Sequence, residues 1–377
     1  TYLGYEFINF NKNEIEAINS YIEEGGVILI YALDEEYHNI TNINEIIASS
    51  ETSLVGSTWT GKDKVVAVDA LGSHLLVKNV PELPYLGLKL STSQMSTVFL
   101  WLKDALGKHN LGVCYQNLTG GAMIIMGTNF MFDNWAFKAK YSGTGTNAEN
   151  VYNFAENIID FVEYGKDIIE NVTVTPSSFI QGMNFTATAY NGSNVINITW
   201  SMIYTYGEDR GAMSYDPIQK KWMANITAKQ AGWAYIKFYA YFGDGEGIYY
   251  VVRSYKIYIS PSENNPPNIY SAQHGTIMDI YIENVTITIE ISDDSGLIPE
   301  TLFVSANVSP YTKVVTLIDE KSLNVEIAIS YEDLHSYVST ERDTIYVEIS
   351  IKIKDVNLNQ GSSNILVGVH VIDAEPP

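Results

Sequence analysis

The chain has 377 residues, 46% of them apolar, so it is long enough for two or three globular domains and too apolar to be disordered throughout. Its formal net charge of −22, from 44 acidic and 22 basic residues, argues against a nucleic-acid or anionic-membrane surface, since both require clustered Lys and Arg. Cations are the expected ligands instead. No apolar run approaches the roughly 20 residues of a membrane-spanning helix, so we expect no membrane insertion within this segment.

The first 165 residues alternate helix and strand signals, which predicts an α/β domain. A helix is expected from its N-cap Asn13 to Gly25-Gly26, with its isoleucines on one face. A last helix is expected from about Ala148 to Tyr164. Apolar runs without alternation predict strands buried on both faces of a parallel sheet, at Val27–Tyr31, Lys64–Val68 and Ala122–Met126.

At about Lys166 the apolar period changes from 3.6 to 2, which is typical of antiparallel strands. The first set predicts a β-sandwich from Phe185–Ala189, Ile196–Met202, Trp222–Ile226, Ala234–Ala240 and Tyr255–Ile259. A second set predicts another sandwich from Val285–Ile291, Leu302–Val308, Leu323–Ile329, Ile345–Ile353 and Val367–Val371. The predicted domains are therefore residues 1–165, 166–262 and 263–377.

Two diprolines mark expected joints between domains. Pro266-Pro267 lies between the two alternating sets, and Pro376-Pro377 closes the chain. A diproline bars helix and central-strand pairing, which favours a stiff linker. By analogy with the first joint, we expect a further domain beyond residue 377, in a longer tandem array.

Three stretches of the first domain resemble class I glutamine-amidotransferase-like domains. These are the helix and strand at 11–30, the segment Ser73–Val80 and the segment Gly120–Asn134. The similarity is greatest to the non-catalytic branch of gliding-motility and intraflagellar-transport proteins. The acidic residue of the family's "G-D-S-x-F" motif is absent, since the chain has Gly127-Thr128-Asn129-Phe130. The resemblance implies a flavodoxin-like parallel sheet.

Two turns of the β domains resemble immunoglobulin-like repeats of archaeal and bacterial cell-surface proteins. Ser292–Leu297 is similar to their "D-x-S-G" turn. Asp355–Asn359 is similar to their "D-x-x-G-N" turn, with Leu358 in the glycine position. This resemblance implies a fold class and an exterior location, and it implies no particular ligand.

An active glutamine amidotransferase needs a Cys nucleophile at a strand-to-helix elbow and a His oriented by a carboxylate. The elbow position after Val27–Tyr31 is Ala32-Leu33-Asp34, and His74 has no Glu two residues later. The only cysteine, Cys114, lies in a segment with strand character and is interpreted as a buried thiol. We therefore expect no enzymatic activity and no catalytic residue.

Metal binding through nitrogen or sulfur is not indicated, since the six histidines are isolated in sequence. Oxygen ligands for Ca²⁺ are placed in turns by Asp293, Asp294, Asp355, Asn357 and Asn359, and also by Asp244–Glu246. Asp355–Asn359 has the spacing of the first half of a calcium loop, but its later ligands are missing. The alternative is that these residues only form hydrogen-bonded β-turns.

A single cysteine excludes an intrachain disulfide, so secretion has to be inferred from other signals. Nine Asn-x-Ser/Thr sequons occur, and five lie between residues 171 and 225. The predicted glycosylation sites are Asn171, Asn184, Asn191, Asn197, Asn225, Asn284 and Asn307, and the remaining sequons begin at Asn39 and Asn117. The alternative is an Asn- and Thr-rich β surface without glycans.

Three tryptophans cluster in the first predicted sandwich. Trp200 and Trp222 are in phase with the apolar alternation and are predicted to be core residues, whereas Trp233 is predicted to be exposed. A sugar-stacking platform is the alternative interpretation of these aromatic residues.

Together these features predict a non-enzymatic, extracellular structural glycoprotein, such as a segment of an archaeal S-layer, a surface filament or an adhesin-like stalk. Its expected partners are other copies of itself, other surface proteins and glycans, and its only expected cofactor is Ca²⁺. The alternatives are the accessory region of a large secreted hydrolase such as a protease, and a carbohydrate-binding module.

Overall fold

The computed structural model describes residues 9–32, 39–55, 66–70, 74–85, 87–104, 107–128, 148–165, 168–191, 194–243, 247–263, 265–281, 283–338 and 344–372. The protein is mostly β-sheet, with 56% strand and 16% helix, which confirms the predicted β-rich class. The chain divides into two compact units. One comprises Thr1–Ser177, Phe185–Ile226 and Ala234–Ile257, and the other comprises Ser178–Asn184, Thr227–Trp233 and Tyr258–Pro377. The predicted boundaries after residues 165 and 262 fall between elements and remain predictions.

The first helix, α1 (Lys12–Glu23), begins two residues before the predicted position. The prediction of Asn13 as N-cap was wrong, because Asn11 accepts hydrogen bonds from the backbone N–H groups of Asn13 and Glu14. The Glu14 carboxylate accepts in turn from the Asn11 N–H at 2.7 Å, which completes a capping box. The predicted stop is confirmed by Gly25, whose φ of +96° suits a residue without Cβ.

Helix α2 (Ile40–Ile47) was not predicted, although its N-cap Asn39 is a favourable residue for that position. Helix α3 (Ala148–Tyr164) has the predicted bounds. It buries Phe154 and Phe161, and Asn157 donates to the carbonyls of a 3₁₀ turn at Leu75–Val77 and its cap. The short α4 (Tyr331–His335) completes the described helices, none of which is long and apolar enough to cross a membrane.

The first three helices and an eight-stranded sheet lie in the same part of the chain. Its strands are β1 (Val27–Tyr31), β2 (Thr52–Val55), β3 (Val66–Ala70), β4 (Glu82–Tyr85), β5 (Lys89–Thr92), β6 (Thr97–Asp104), β7 (Gly107–Gln116) and β8 (Ala122–Met126). The order is β1-β8-β7-β6-β3-β4, and β5 pairs with β2 and β7. All five residues of β8 are buried, as their continuous apolar run predicted. The prediction that β1 is buried on both faces was wrong: Leu29 and Tyr31 are exposed, because β1 is the end strand of this sheet order.

The predicted parallel sheet is corrected to a mixed sheet. β1 and β8 pair in parallel, but β8–β7, β7–β6, β6–β3 and β3–β4 are antiparallel. The physical reason is connection length: a parallel crossover needs a dozen or more residues, and β6, β7 and β8 follow one another through short turns. A flavodoxin-like arrangement is therefore not confirmed.

Residues 169–260 form two further sheets. The strands are β9 (Ile169–Thr175), β10 (Phe179–Ile180), β11 (Asn184–Asn191), β12 (Val195–Ile203), β13 (Glu208–Ala212), β14 (Ser214–Asp216), β15 (Lys221–Thr227), β16 (Gly232–Gly243) and β17 (Ile248–Ser260). The sheet orders are β10-β17-β16-β12-β13 and β14-β15-β11-β9. The predicted alternation holds along β16, where Ala234, Ile236, Phe238 and Ala240 are fully buried.

Residues 268–371 form two four-stranded sheets around one core. The strands are β18 (Asn268–Tyr270), β19 (Ile277–Ile280), β20 (Val285–Ser292), β21 (Leu297–Ala306), β22 (Thr312–Asp319), β23 (Ser322–Ile329), β24 (Thr344–Asp355) and β25 (Gln360–Val371). The orders are β18-β20-β23-β22 and β19-β25-β24-β21. Alternate residues of β20, β23, β24 and β25 fill the core, as their period of two predicted.

Candidate cation site

The turn at Asp355–Asn359 holds the segment that leads into β18. The Asn357 Oδ1 accepts from the Ser262 N–H at 3.0 Å. The Asn359 Nδ2 donates to the carbonyl of Asn265 at 3.2 Å and to that of Glu263 at 3.4 Å. The turn therefore fixes the backbone around Glu263 through side-chain amides, which are rigid, uncharged partners.

The same turn fixes the carboxylate of Asp355. Its two oxygens accept from the N–H and the Nδ2 of Asn359, at 2.8 and 2.9 Å. Leu358 has a φ of +66°, in the left-handed region that favours glycine. The Asp355 side chain is fully buried.

Three carboxylates converge at this point. Oxygens of Glu263, Asp293 and Asp355 lie within 4.8 Å of one another. Like charges this close together repel one another. Burial raises the pKa of Asp355, and the Asp293 carboxylate raises it further, while the hydrogen bonds from Asn359 lower it. The cluster is therefore suited to a cation that neutralises part of this negative charge.

One carboxylate oxygen of the cluster has no donor. The Glu263 Oε1 is buried and accepts no hydrogen bond from any residue that the structure describes. Its other oxygen, Oε2, accepts from the Asn265 Nδ2 at 3.2 Å. A buried charged oxygen without a donor is destabilising unless a water molecule or a cation satisfies it.

An open cavity of about 420 Å³ lies beside the cluster, lined by residues that include Glu263, Asn265, Asn268, Asp293, Asp294 and Lys321. Most of the lining is oxygen-bearing, and Ca²⁺ prefers carboxylate, amide and carbonyl oxygens together with water. Lys321 is the cation at its rim, and its ammonium donates to the backbone carbonyl of Asp294.

The structure brings together only part of the predicted ligand set. Asp293 and Asp355 are in the cluster. The side chains of Asn357 and Asn359 instead form hydrogen bonds with the backbone of the segment that leads into β18, and the Asp294 side chain is exposed. Asp293 also accepts from the Ser295 and Gly296 N–H groups, which is the turn geometry of the alternative interpretation. Glu263 was missed, because only the tertiary fold brings it near the two turns. Asp244–Glu246 lies outside the described residues.

The predicted glycosylation sites are largely at the surface. Asn171, Asn184, Asn197, Asn225, Asn284 and Asn307 are exposed, and the Asn191 side chain lies outside the described part. Asn307 is the least available of them, since its Nδ2 donates to the Tyr346 carbonyl and its Oδ1 accepts from the Glu348 N–H. Asn39 and Asn117 are half-buried, and the Asn117 Nδ2 donates to the Ile22 carbonyl.

The aromatic predictions have mixed outcomes. Trp222 is buried, as predicted, and Trp200 is half-buried, with its ring over Gly211. Trp233 is 56% exposed, as predicted, and its ring contacts that of Tyr258 edge-to-face at a centroid distance of 5.2 Å.

The residues considered for catalysis that the structure describes are buried. His74 is 1% exposed, and its Nδ1 accepts from the Leu76 N–H at 3.2 Å. Cys114 lies on β7, where burial raises the pKa of its thiol to about 12 even though the charge of Arg253 lowers it. Leu33, Asp34, Asn129 and Phe130 lie outside the described residues.

The Cys114 thiol should therefore be inert. In native protein we expect it to react with a disulfide reagent at least about ten-fold more slowly than in denatured protein, because the thiolate is the reactive form. Cys114→Ser should alter only local packing. Rapid labelling of the native thiol, or glutamine hydrolysis that this variant abolishes, would contradict the interpretation.

No protein-family model matches the chain, and no curated protein sequence matches it either.

Proposed function

We propose that this chain is a non-enzymatic segment of an extracellular structural protein, such as a surface layer, filament or stalk, in which Ca²⁺ stiffens the segment that leads into β18. The proposal rests on the convergence of Glu263, Asp293 and Asp355. They meet beside the segment that leads into β18, whose backbone is hydrogen-bonded to the Asp355–Asn359 turn. Extracellular calcium is millimolar, which is enough to occupy weak oxygen sites.

Two further observations support an exterior, structural role. Six predicted glycosylation sites have exposed side chains. The net charge of −22 requires that copies packed together pair, separate or bridge their carboxylates, and cations can supply the bridges.

The resemblance of residues 1–165 to a non-catalytic glutamine-amidotransferase-like domain belongs to the same proposal. The parallel pair of β1 and β8, with α1 leading directly into β1, supports it. The antiparallel strands β6 and β7 count against a purely parallel relative.

The test is thermal unfolding of the chain with about 5 mM Ca²⁺ and with chelator. For a site with a dissociation constant of about 0.5 mM, calcium should add about 1.4 kcal/mol, which raises Tm by a few degrees. Glu263→Gln should be more stable than the native chain in chelator, since one repelling charge is gone, and it should no longer respond to calcium. Higher stability in chelator together with a lost calcium response distinguishes a cation site from a turn that only forms hydrogen bonds.

Glu300→Gln is the matched control, because its side chain is exposed and lies outside both the three-carboxylate cluster and the cavity lining. It should keep the calcium response of the native chain. The raised pKa of Asp355 adds a pH signature: in chelator this group stabilises the fold at low pH, and its contribution is lost as pH rises through its folded pKa. Identical unfolding with calcium and chelator would overturn the proposal.

A carbohydrate-binding function is the second candidate, favoured by the exposed pair of Trp233 and Tyr258. Aromatic faces stack on sugar rings. Quenching of tryptophan fluorescence by oligosaccharides in the native chain, but not in Trp233→Ala, would support this function over the structural one.

A further inference from the structure

Three glycosylation sequons lie inside strands of the sheet β14-β15-β11-β9. They are Asn171-Val172-Thr173 on β9, Asn184-Phe185-Thr186 on β11 and Asn225-Ile226-Thr227 on β15. Alternate residues of a strand point to opposite faces, so the Asn and the Thr of each sequon share one face. The middle residue points the other way, and all three middle residues are buried. Each sequon therefore presents its amide and its hydroxyl on the outer face of the sheet.

The sequons of β11 and β15 are joined by a reciprocal pair of hydrogen bonds. The Thr186 Oγ1 donates to the Asn225 Oδ1 at 3.0 Å. The Thr227 Oγ1 donates to the Asn184 Oδ1 at 2.6 Å. The hydroxyl of each sequon is therefore bonded to the asparagine of the other.

The hydroxyl of the third sequon is also bonded to a neighbouring strand. Thr173 and Thr188 lie directly opposite each other in the register of β9 and β11, and their hydroxyl oxygens are 2.5 Å apart. All three sequon hydroxyls are thus engaged by side chains of an adjacent strand once the sheet has formed.

The amide nitrogens of Asn171, Asn184 and Asn225 are not engaged in this way. The three side chains are exposed, and their Nδ2 atoms donate no hydrogen bond to any residue that the structure describes. The Nδ2 of Asn307, by contrast, donates to a backbone carbonyl. A sugar on any of the three nitrogens would leave the hydrogen bonds of this face in place, because those bonds use only oxygen atoms of the asparagines.

The same face is almost free of charge. Strand β11 and the stretch 171–175 of β9 contain no charged residue, and β15 contains only Lys221, which lies opposite Asp216 of β14. The chain as a whole has 44 acidic residues, which attract cations and basic partners. A neutral face rich in Thr and Asn offers those partners nothing, and it suits neutral, hydrophilic sugars.

Attachment of sugars to this face has to precede pairing of its strands. A sequon requires Ser or Thr two residues after the asparagine, so the hydroxyl is part of what the transferase recognises, and acceptor sequons normally lie on loops. In the folded sheet the three hydroxyls are bonded to side chains of adjacent strands, and strand pairing fixes the backbone on both sides of them. Only the unpaired chain can present both groups of each sequon to the enzyme.

We propose that Asn171, Asn184 and Asn225 are N-glycosylated before β9, β11 and β15 pair, so that the folded sheet carries sugars on its outer face. The donor is a lipid-linked glycosyl phosphate. Its bond between the anomeric carbon and the phosphate oxygen breaks, and the phosphate leaves with the bonding electrons. The asparagine Nδ2 forms the new bond to that carbon and releases one proton to a base of the transferase.

This inference rests on the proposed exterior location, since sequons are used in secreted proteins. It assigns the outer face of this sheet to sugars, so contacts between copies of the chain would use other surfaces. Its test is independent of calcium. A chain that carries no sugar here but is stabilised by calcium would keep the proposed structural role and lose this inference.

The test maps sugars by mass spectrometry on the 377-residue chain, secreted behind a cleavable signal peptide from a cell that N-glycosylates. Asn171, Asn184 and Asn225 should each carry a sugar in most molecules. The same chain, made without sugars and folded, is then given purified oligosaccharyltransferase and lipid-linked oligosaccharide. Occupancy of the three sites should be at least about ten-fold lower, because their hydroxyls are no longer accessible to the enzyme.

Ala187→Asp is the control for folding, since it places a charge at a fully buried position of β11. Circular dichroism should show that the sheet is lost, and this chain should accept sugars in the purified system. Thr186→Val is the control for recognition: on secretion it should lose the sugar of Asn184 alone, whereas Thr186→Ser keeps the hydroxyl and should retain that sugar.

Any of three results would overturn the inference. The first is a secreted chain without sugars at these asparagines, which would leave the sequons as a hydrogen-bonded Asn and Thr surface. The second is equal occupancy of the folded, initially sugar-free chain. The third is an Ala187→Asp chain that has lost its sheet but accepts no more sugar than the folded chain does.

Discussion

The chain is expected to lose about 3 kcal/mol of stability between pH 6.5 and pH 4 through one residue, His74. Burial lowers the pKa of His74 from 6.5 to about 4, and a tenfold change in proton affinity corresponds to about 1.4 kcal/mol. The unfolded chain therefore takes up this proton at a higher pH than the folded chain does. The contribution of His74 is complete above pH 6.5 and is lost as pH falls through the folded pKa.

The surroundings of His74 explain this effect. Its ring lies between Phe99 and Phe161, at centroid distances of 6.2 Å, and meets the ring of Tyr250 edge-on at 5.5 Å. Its Nδ1 accepts from the Leu76 N–H, so it caps the 3₁₀ turn at Leu75–Val77 in the neutral form. A proton on Nδ1 would remove that acceptor and place a charge among aromatic rings.

Urea unfolding at a series of pH values measures this effect. His74→Asn keeps an acceptor for the Leu76 N–H but does not titrate, so the difference in stability between the native chain and this variant should change by about 3 kcal/mol over the range. His370→Asn, at a partly exposed histidine beside Asp279, should change far less. A constant difference between the native chain and His74→Asn would show that His74 does not control acid sensitivity.

Local patterns in the sequence were sufficient to predict an element where its apolar periodicity alone determined the structure. The 3.6-residue period gave α3 its bounds, and the period of two gave β16 and β20 their buried faces. A local rule failed at α1, because both Asn11 and Asn13 have a Glu three residues later and either could form the capping box. With Asn11 as the N-cap, the helix gains two residues at its start, and the apolar pattern does not show where the helix begins.

Contacts between distant segments could not be predicted. Apolar runs predicted β1 and β8 as strands buried on both faces, but only β8 is buried throughout, and Leu29 and Tyr31 of β1 are exposed. An apolar run also does not distinguish parallel from antiparallel neighbours. β22 was not predicted, since its exposed residues show no alternation. At the cation site, the turn acids Asp293 and Asp355 were found from turn chemistry, whereas Glu263 has no local signal and is placed by tertiary contacts.

Lys237 shows the same limit most clearly. In the alternating strand β16 it falls at a position that the pattern assigns to solvent, between the core residues Ile236 and Phe238. It is only 5% exposed, however, and its ammonium donates to the carbonyl of Ser96 at 3.1 Å. Periodicity identifies the two faces of a sheet, but it cannot show that the second face is also covered.

Replacing this lysine with methionine is expected to stabilise the protein by about 2 kcal/mol at pH 7. Burial lowers the pKa of Lys237 to about 8 from 10.5, although the Glu208 carboxylate raises it. The lowered pKa corresponds to a penalty of about 3 kcal/mol for the buried charge, and the bond to Ser96 offsets about 1 kcal/mol of the gain on its removal. Lys237→Met keeps the side-chain length and removes the charge.

The pH dependence of stability provides a second test of this prediction. The folded chain releases the Lys237 proton before the unfolded chain does, so native stability should rise from about pH 8 to pH 10.5. The advantage of Lys237→Met should shrink over the same range, because the native lysine becomes neutral. Urea unfolding at pH 7 and pH 10 measures both effects, with exposed Lys12→Met as the control. A Lys237→Met variant less stable than the native chain at pH 7 would mean that the Ser96 bond and Glu208 outweigh the cost of burying this charge.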